Sequence, residues 1–321
     1  MAVNDGTGKK KSRIICVVNP NSANKATGKD WPEIKEKIES VLGEVDSKIT
    51  GAPGDATDIT RMALENGYDE IVAVGGDGTN NEVINGFFRD DNTQINPNAV
   101  FNFISRGTGG DLRKTFGLGK ELMDYIDILA REESWPVDVG RITMDNQNGE
   151  RMVRYFINIA SFGIGGLVDE KVNSSSKALG GKLSFLLATI RSIVEYENRQ
   201  VTISLDGKKP FSRTINNVAI ANGQFFGGGM WIAPGARMDD GKFDVVILGD
   251  LTRLDVLKRA NRVYKGTHLE LDKVESFRAA RIEAFSDERV LLDVDGEQPG
   301  KLPSTFECLP GAIRMKISQP K

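Results

Sequence analysis

Asp77 is the residue on which most chemistry can be built. It sits in Gly75-Gly76-Asp77-Gly78-Thr79, directly after the apolar run Ile71-Val72-Ala73-Val74. That run reads as a buried strand. After the turn, Val83, Ile84, Phe87 and Phe88 give one apolar face of a helix, with Thr79 or Asn80 as its expected cap. Strand, glycine turn and helix together place bare backbone N–H groups at a helix N-terminus, where phosphate oxygens are favoured. Glycine suits the turn because a Cβ would block close approach and resist positive φ. The segment fits neither G-x-x-x-x-G-K-[ST] nor G-x-G-x-x-G. A carboxylate beside phosphates is repulsive unless a metal ion or a transferable proton accompanies it. A tight turn closed by an aspartate bond is the plain alternative; for GGDGT after such a strand, phosphate chemistry is the better reading.

Four further segments carry candidate groups. Asn19-Pro20-Asn21-Ser22-Ala23, followed by Gly28-Lys29, comes straight after a strand over Arg13–Val18, and Ser22 and Lys29 are its donors. An ordinary connecting loop explains it equally well. Ser105-Arg106-Gly107-Thr108-Gly109-Gly110-Asp111-Leu112 follows a strand over Val100–Ile104. Asp239-Asp240-Gly241 reads as a turn. Asp295-Gly296-Glu297 follows the apolar run Val290–Val294, and by itself it is a polar hairpin turn.

The elements that must hold these segments fall into two regions. In residues 13–136, strands alternate with helices. Trp31–Leu42 places Ile34, Ile38, Val41 and Leu42 on one side, Ser47–Thr50 is a short strand, and Pro53-Gly54-Asp55-Ala56 opens a helix with Ile59, Met62 and Ala63 inward. This alternation predicts an α/β domain on a parallel sheet, whose ligands gather at the carboxyl ends of the strands. All three glycine or polar loops lie at such ends. From Pro136-Val137-Asp138 onward, β-formers dominate, with Arg151–Ala160 and Arg278–Phe285 each reading as one strand. Residues 137–317 are therefore expected to form a β-rich antiparallel sandwich. Two helices interrupt it. Lys182–Tyr196 has Leu183, Leu186, Leu187, Ile190, Ile193 and Val194 at helical spacing, a core face before it is a lipid-facing lid. Leu254–Tyr264 has Lys258, Arg259 and Arg262 on a basic side that Lys265 extends, a solvated face before it is a membrane contact.

Composition excludes several classes. The 321 residues are 39% apolar and 27% charged, with a net charge of −3, so no global basic field exists for nucleic acid. Cys16 and Cys308 lie far apart and point to buried thiols in a reducing compartment. His268 is the only histidine, which argues against a His-based metal cluster or a Ser/His/Asp triad. No apolar run approaches a transmembrane length and no signal peptide is visible, so a cytoplasmic protein is expected. Gly8–Arg13 is basic and reads as a solvated tail.

Taken in order, Gly75–Thr79, Gly107-Thr108 with Asp111-Leu112, Pro234-Gly235-Ala236 with Asp239-Asp240-Gly241, and Asp295-Gly296-Glu297 make the chain resemble the diacylglycerol kinase catalytic-domain family. Soluble bacterial lipid kinases, sphingosine kinases and ceramide kinases belong to that family. The likeness runs from Arg13 to about Lys316. It implies an α/β nucleotide domain like those of NAD kinase and phosphofructokinase, then the β-rich acceptor domain. It further implies Mg²⁺ and ATP, with a lipid hydroxyl as acceptor. The nucleotide would meet Asn19, Thr50, Gly75, Gly76, Asp77, Gly78, Thr79, Asn80, Asn81, Gly107 and Thr108. Asp77, Asp295 and Glu297 would be the catalytic carboxylates, able to hold Mg²⁺ or take a proton. A structural Mg²⁺ would sit on the Asp240 side chain and the backbone carbonyls of Arg237 and Lys242. The third block departs from the Pro-x-Gly-Thr-x-Asn-Asp of many relatives. Arg106 stands in place of a small or apolar residue and Gly110 in place of the asparagine. Arg106 would either grip an acidic group or form a surface salt bridge.

The reading is an ATP-dependent lipid kinase acting on a diacylglycerol, sphingoid or ceramide type of alcohol. It touches the membrane peripherally during turnover and is compatible with a homodimer. Its rivals are a kinase of a soluble acceptor such as NAD and a non-catalytic nucleotide-binding module.

Overall fold

The computed structural model describes residues 12–107, 109–146, 148–174, 189 and 191–317. Thr108, most of the basic N-terminal stretch and most of Lys182–Tyr196 lie outside the described residues. The chain divides into two compact units. The first holds residues 1–107, 118–136 and 313–319, the second 108–117, 137–312 and 320–321. The linear division read from the sequence therefore misses two segments. Asp111–Thr115 packs on Phe225–Phe226 of the second unit, and the chain returns at Ile313 to pair with the first sheet.

The first unit is built on β1 (Ile14–Val18), α1 (Ala26–Leu42), β2 (Asp46–Ile49), α2 (Asp55–Glu65), β3 (Glu70–Gly75), α3 (Asp77–Asn85) and β4 (Val100–Ser105). Its strands run parallel in the order β2-β1-β3-β4, with Val18 opposite both Ile49 and Val74 and with Val74 opposite Ile104. All six residues of β3 are buried, as a strand covered on both faces requires. The returning segment adds Arg314 and Met315 in parallel beside Val100 and Phe101. Lys316 is anchored there by the buried Glu70 at 2.6 Å, and Glu70 also accepts a bond from Asn102 at 2.8 Å.

Two helices turn other faces inward than expected. In α2 the buried residues are Ala56, Thr60, Ala63 and Leu64, while Met62 is 62% exposed. The cause is close packing on α3: a Cβ at Gly86 would stand 2.6 Å from both Thr57 O and Thr60 Cβ, so the small residues of α2 face it. In α1, Trp31, Ile34 and Ile38 are buried but Val41 is 47% exposed. Two short helices follow β4: α4 (Asp111–Thr115), which the division above gives to the second unit, and α5 (Leu122–Leu129).

In the second unit, β5 (Trp135–Asp145), β6 (Arg151–Phe156), β8 (Arg199–Leu205), β9 (Phe211–Ile215), β15 (Arg281–Phe285) and β17 (Lys301–Met315) make one antiparallel sheet. The other runs β14-β13-β10-β7-β16, from Val274–Ala279, Phe243–Leu248, Asn217–Ala221, Ile159–Gly163 and Leu292–Val294. Phe156 stacks on Phe243 at 5.4 Å and Phe162 on Phe306 at 6.0 Å, so each aromatic pair bridges the two sheets. This is a sandwich with a buried core between its sheets, as read from the sequence. The ribbon β11 (Phe225–Phe226) with β12 (Met230–Trp231), helix α6 (Ile164–Ser174) and helix α7 (Arg253–Tyr264) complete it.

Two stretches expected to be single strands are broken, each at the point where the chain changes sheet. Ile157 and Asn158 separate β6 from β7, and Ala280 separates β14 from β15. A carboxylate takes the interrupted N–H groups in both cases. Asp206 accepts from Ala280 and Arg281 at 2.9 Å, and Asp295 accepts from Ile157, Asn158 and Ile159. Buried backbone donors must be satisfied, and a side chain does so where the ladder cannot.

Candidate functional site

In the first unit, helix α3 begins earlier than its expected cap. Gly76 is the N-cap, with no side-chain capping bond, and Asp77 is the first helical residue. Thr79 instead packs inward: a Cβ at Gly75 would lie 2.4 Å from Thr79 Oγ1. That hydroxyl also accepts a bond from Asn19 Nδ2 at 3.1 Å. The neighbouring loops are tied to the same point. Asn19 N–H donates to Val74 O at 2.9 Å, Thr50 N–H to Val18 O at 2.9 Å and Arg106 N–H to Gly75 O at 2.6 Å. Gly107 lies so close to Gly76 that a Cβ on it would meet Gly76 Cα at 2.8 Å. Asn19, Thr50, Gly75–Asn81 and Gly107 are thus gathered at the carboxyl ends of parallel strands, where such sheets bind ligands.

The cradle fits an anionic ligand. Its floor is glycine backbone, and the start of a nine-residue helix faces it. Asn80 is 2% exposed, and its Oδ1 has no hydrogen-bond partner among the described residues. Asn81 and Asn85 bond to one another, with Asn85 Nδ2 at 2.8 Å from Asn81 O. Asp77 is half-buried at the turn. Ser22 donates to Asn19 O and to Thr27 Oγ1, and Ala23, Asn24 and Lys25 all have positive φ, a strained loop beside the cradle. Arg106 pairs with Asp30, which is the salt-bridge alternative for that residue.

In the second unit, Asp295 and Gly296 form the hairpin the local sequence indicates. Both have positive φ, 51° and 89°, and Val294 and Glu297 exchange backbone bonds of 2.8 and 3.1 Å. The Asp295 carboxylate reaches back to the sheet change: Oδ2 accepts from Ile157 N–H at 3.0 Å, and Oδ1 from Asn158 and Ile159 at 3.1 and 2.9 Å. Both oxygens hold backbone. Glu297 is exposed at the end of the hairpin.

Behind this hairpin lies a group that sequence reasoning missed. Asp293 is buried on β16; its Oδ1 accepts from Gly296 N–H at 2.9 Å and its Oδ2 from Ser161 Oγ at 3.0 Å. Asp169 on α6 is also buried and lies in the field of the Asp293 carboxyl. Burial, then the Asp293 charge and hydrogen bond, then the Glu297 charge push the Asp169 carboxyl well above the ordinary range. Burial raises Asp293 too, against the bonds it receives from Asp169, Gly296 and Ser161. The available signal was the run Gly163-Ile164-Gly165-Gly166, which reads as a turn but starts a helix. A Cβ on Gly165 would come within 2.7 Å of Ser161 Oγ, and one on Gly166 within 2.6 Å of the Leu291 backbone.

The three residues named for a structural metal, Arg237, Asp240 and Lys242, sit on one loop between β12 and β13. Asp240 is paired with Arg278, and its Oδ1 accepts from Lys242 N–H at 3.2 Å, while Arg237 pairs with Asp239. Among the described residues no group of three His, Cys, Asp or Glu side chains is placed to hold a metal. The loop is pinned by Asp138, whose carboxylate accepts from Gly241 and Gly311 N–H, each at 2.7 Å.

A parallel-sheet unit carrying this glycine turn and a following β-sandwich are the architecture of the NAD kinase-like fold class. Residues 13–142 match the diacylglycerol kinase catalytic domain and residues 158–317 the YegS C-terminal NAD kinase beta sandwich-like domain. The chain is 30% identical over 313 residues to a diacylglycerol kinase of Bacillus subtilis (strain 168), spanning 97% of this chain and 98% of that one. A solved diacylglycerol kinase structure from Bacillus anthracis str. Sterne shares the fold, with a TM-score of 0.74 at 24% identity over 97% of this chain and 99% of that one. Yeast NADH kinase shares it more distantly, with a TM-score of 0.52 at 13% identity over 96% and 83% of the two chains. The chain belongs to the diacylglycerol kinase family.

Proposed function

We propose that the protein is an ATP-dependent lipid kinase that transfers the γ-phosphoryl group to the hydroxyl of a diacylglycerol, sphingoid or ceramide type of lipid. The observation that carries this reading is the Gly75–Thr79 turn, a backbone cradle closed by Gly107 with the orphaned Asn80 Oδ1 beside it. In the transfer, the lipid oxygen forms a bond to the γ-phosphorus as the bond to the bridging oxygen breaks and ADP leaves. The hydroxyl proton passes to a carboxylate. Glycine N–H groups of the turn would orient the phosphates, and Asp77 would hold Mg²⁺, whose charge would offset that of the phosphates. Glu297 and Asp77 are the proposed proton acceptors. Asp295, with both oxygens on backbone N–H groups, anchors the hairpin that carries Glu297.

The acceptor must be met at a membrane surface. Helix α7 supports a peripheral contact: none of its residues is buried, Leu254 and Leu257 are 64% and 58% exposed, and Lys258, Arg259 and Arg262 lie beside them. No helix of the described residues is long and apolar enough to cross a membrane. Binding to anionic vesicles should accordingly weaken with salt.

The test is transfer of label from [γ-³²P]ATP to a panel of lipids in mixed micelles, with NAD as a separate arm. Label in the lipid extract is expected. Label in NADP⁺ and in no lipid would overturn the acceptor class.

A further inference from the structure

We infer that Arg106 is a phosphate-binding residue of the nucleotide site, held by Asp30 until a phosphate takes over its guanidinium. The inference rests on the reading that the Gly75–Thr79 cradle holds ATP, and it adds to that cradle the side chain that answers the phosphate charge.

The backbone of Arg106 is fixed to the cradle. Its N–H donates to Gly75 O at 2.6 Å, and it directly precedes Gly107, on which a Cβ would meet Gly76 Cα at 2.8 Å. From this point the side chain reaches helix α1 and pairs with Asp30, the fifth residue of that helix. Helix α1 opens straight after the Asn19–Lys25 loop. Arg106 therefore spans from the glycine turn to the helix that follows the other phosphate-type loop of the same unit.

The pairing leaves the guanidinium unfinished. Nη2 bonds Asp30, while Nε is buried with no hydrogen-bond partner among the described residues. A guanidinium carries five donors in a fixed fork, and a buried donor left unpaired is costly. The Arg106 side chain is 28% exposed and that of Asp30 40%, and a pair so open to water adds little stability. Asp30 forms no other ion pair among the described residues. A terminal phosphate offers three strong acceptor oxygens, takes two parallel bonds from the fork and carries more charge than a carboxylate. Exchange of Asp30 for phosphate gives Nε an acceptor and strengthens the contact.

Charge singles out the same residue. Asp77, in the turn itself, is an anion and repels phosphate. Of the cations on the neighbouring segments, Lys25 and Lys29 are exposed and Arg106 is half-buried. A charge withdrawn from water acts more strongly on a ligand than one surrounded by it. Arginine also keeps its charge at every working pH, so the grip needs no proton to be gained or lost.

The experiment measures binding of the β,γ-imido analogue of ATP with Mg²⁺, and of inorganic tripolyphosphate, by calorimetry on the full chain. R106Q is expected to weaken both about 10- to 10²-fold, as loss of a hydrogen bond to a charged group does. D30N keeps the shape and removes the competing charge; it is expected to tighten both about 2- to 5-fold. In an R106Q background D30N should change nothing further, because Asp30 acts through the arginine. R106K keeps the charge without the fork and should fall between the parent and R106Q. A purely structural ion pair predicts a different pattern: D30N and R106Q would lower the melting temperature alike, and neither would tighten binding. That pattern, or a D30N gain that persists in R106Q, overturns the inference. So does weakening confined to the ATP analogue with tripolyphosphate unaffected, which would put Arg106 on the nucleoside. A parent and R106Q that bind the analogue equally well leave the kinase reading standing and remove this one. A parent that binds neither probe removes both.

Discussion

The glycine turns of the first unit and the carboxylate hairpin of the second are both fixed in place, but by different means. At Gly75, Gly76 and Gly107 the absence of side chains does the work. Backbones approach until a Cβ would meet a neighbour at 2.4–3.4 Å, and what is left is a surface of N–H groups. At Asp295 a side chain does the work, binding three N–H groups from residues 136–138 positions earlier in the chain. The first plan builds a cradle that any anion of suitable size can use. The second builds a lever, because whatever sets the Asp295 and Asp293 carboxyls also sets Glu297. On the proposed reading, binding and chemistry can therefore be damaged separately.

Charge at the turn should show the largest effect. D77N keeps the shape of the turn and removes the carboxylate, so kcat is expected to fall by about 10²–10⁴-fold while the melting temperature holds, read from initial rates beside thermal melts. D295A strikes the other plan. Three backbone donors lose a charged acceptor, and a stability loss of about 3 kcal/mol or more is expected from denaturant titration, with the loss in turnover following the loss of fold. If D295A leaves stability unchanged, the anchor role is wrong. G107A is milder. Its Cβ would press on Gly76 Cα at 2.8 Å, costing about 1–3 kcal/mol and weakening ATP binding in calorimetry, with the second unit unaffected.

The smallest effect distinguishes the units by pH. His268, in the second unit, is fully buried, and burial pushes its imidazole below the ordinary value of 6.5. The unfolded chain then takes the proton first. Stability is fully present above pH 6.5 and declines as pH falls through the lower folded-state value. Melts from pH 7 to pH 5 should show this slope, and H268Q should flatten it.

The same contrast explains how much was legible in the sequence. A glycine turn is local: its strand, its small residues and its helix are contiguous, so the parallel sheet and the gathering of the Asn19, Gly75 and Gly107 loops at its carboxyl ends follow from short-range pattern, while Asn19 and Thr50 are singled out only by the family resemblance. The helix start was misplaced because Gly76 caps without a side chain, whereas Thr79, a good capping type, is used for packing. The sandwich was legible from its β-formers and turns, but the breaks at Ile157-Asn158 and at Ala280 were not. Each depends on a carboxylate supplied from more than 70 residues away. Asp169 and Asp293 were invisible for the same reason. One lies in a helix that opens on glycines, the other in a strand that otherwise reads as apolar, and only the fold brings them together. Arg278 could not be seen as the partner of Asp240 because the two are joined only across the sheet.

The account rests on the nucleotide being held by the first unit's glycine turns, and amide spectra recorded during titration with a non-hydrolysable ATP analogue test that most directly. The expected result is saturable shifts and slowed exchange at Gly75–Asn81 and at Gly107, with Asn80 among the largest. Changes confined to residues beyond 137, with the Gly75–Asn81 amides unmoved at saturation, would contradict it.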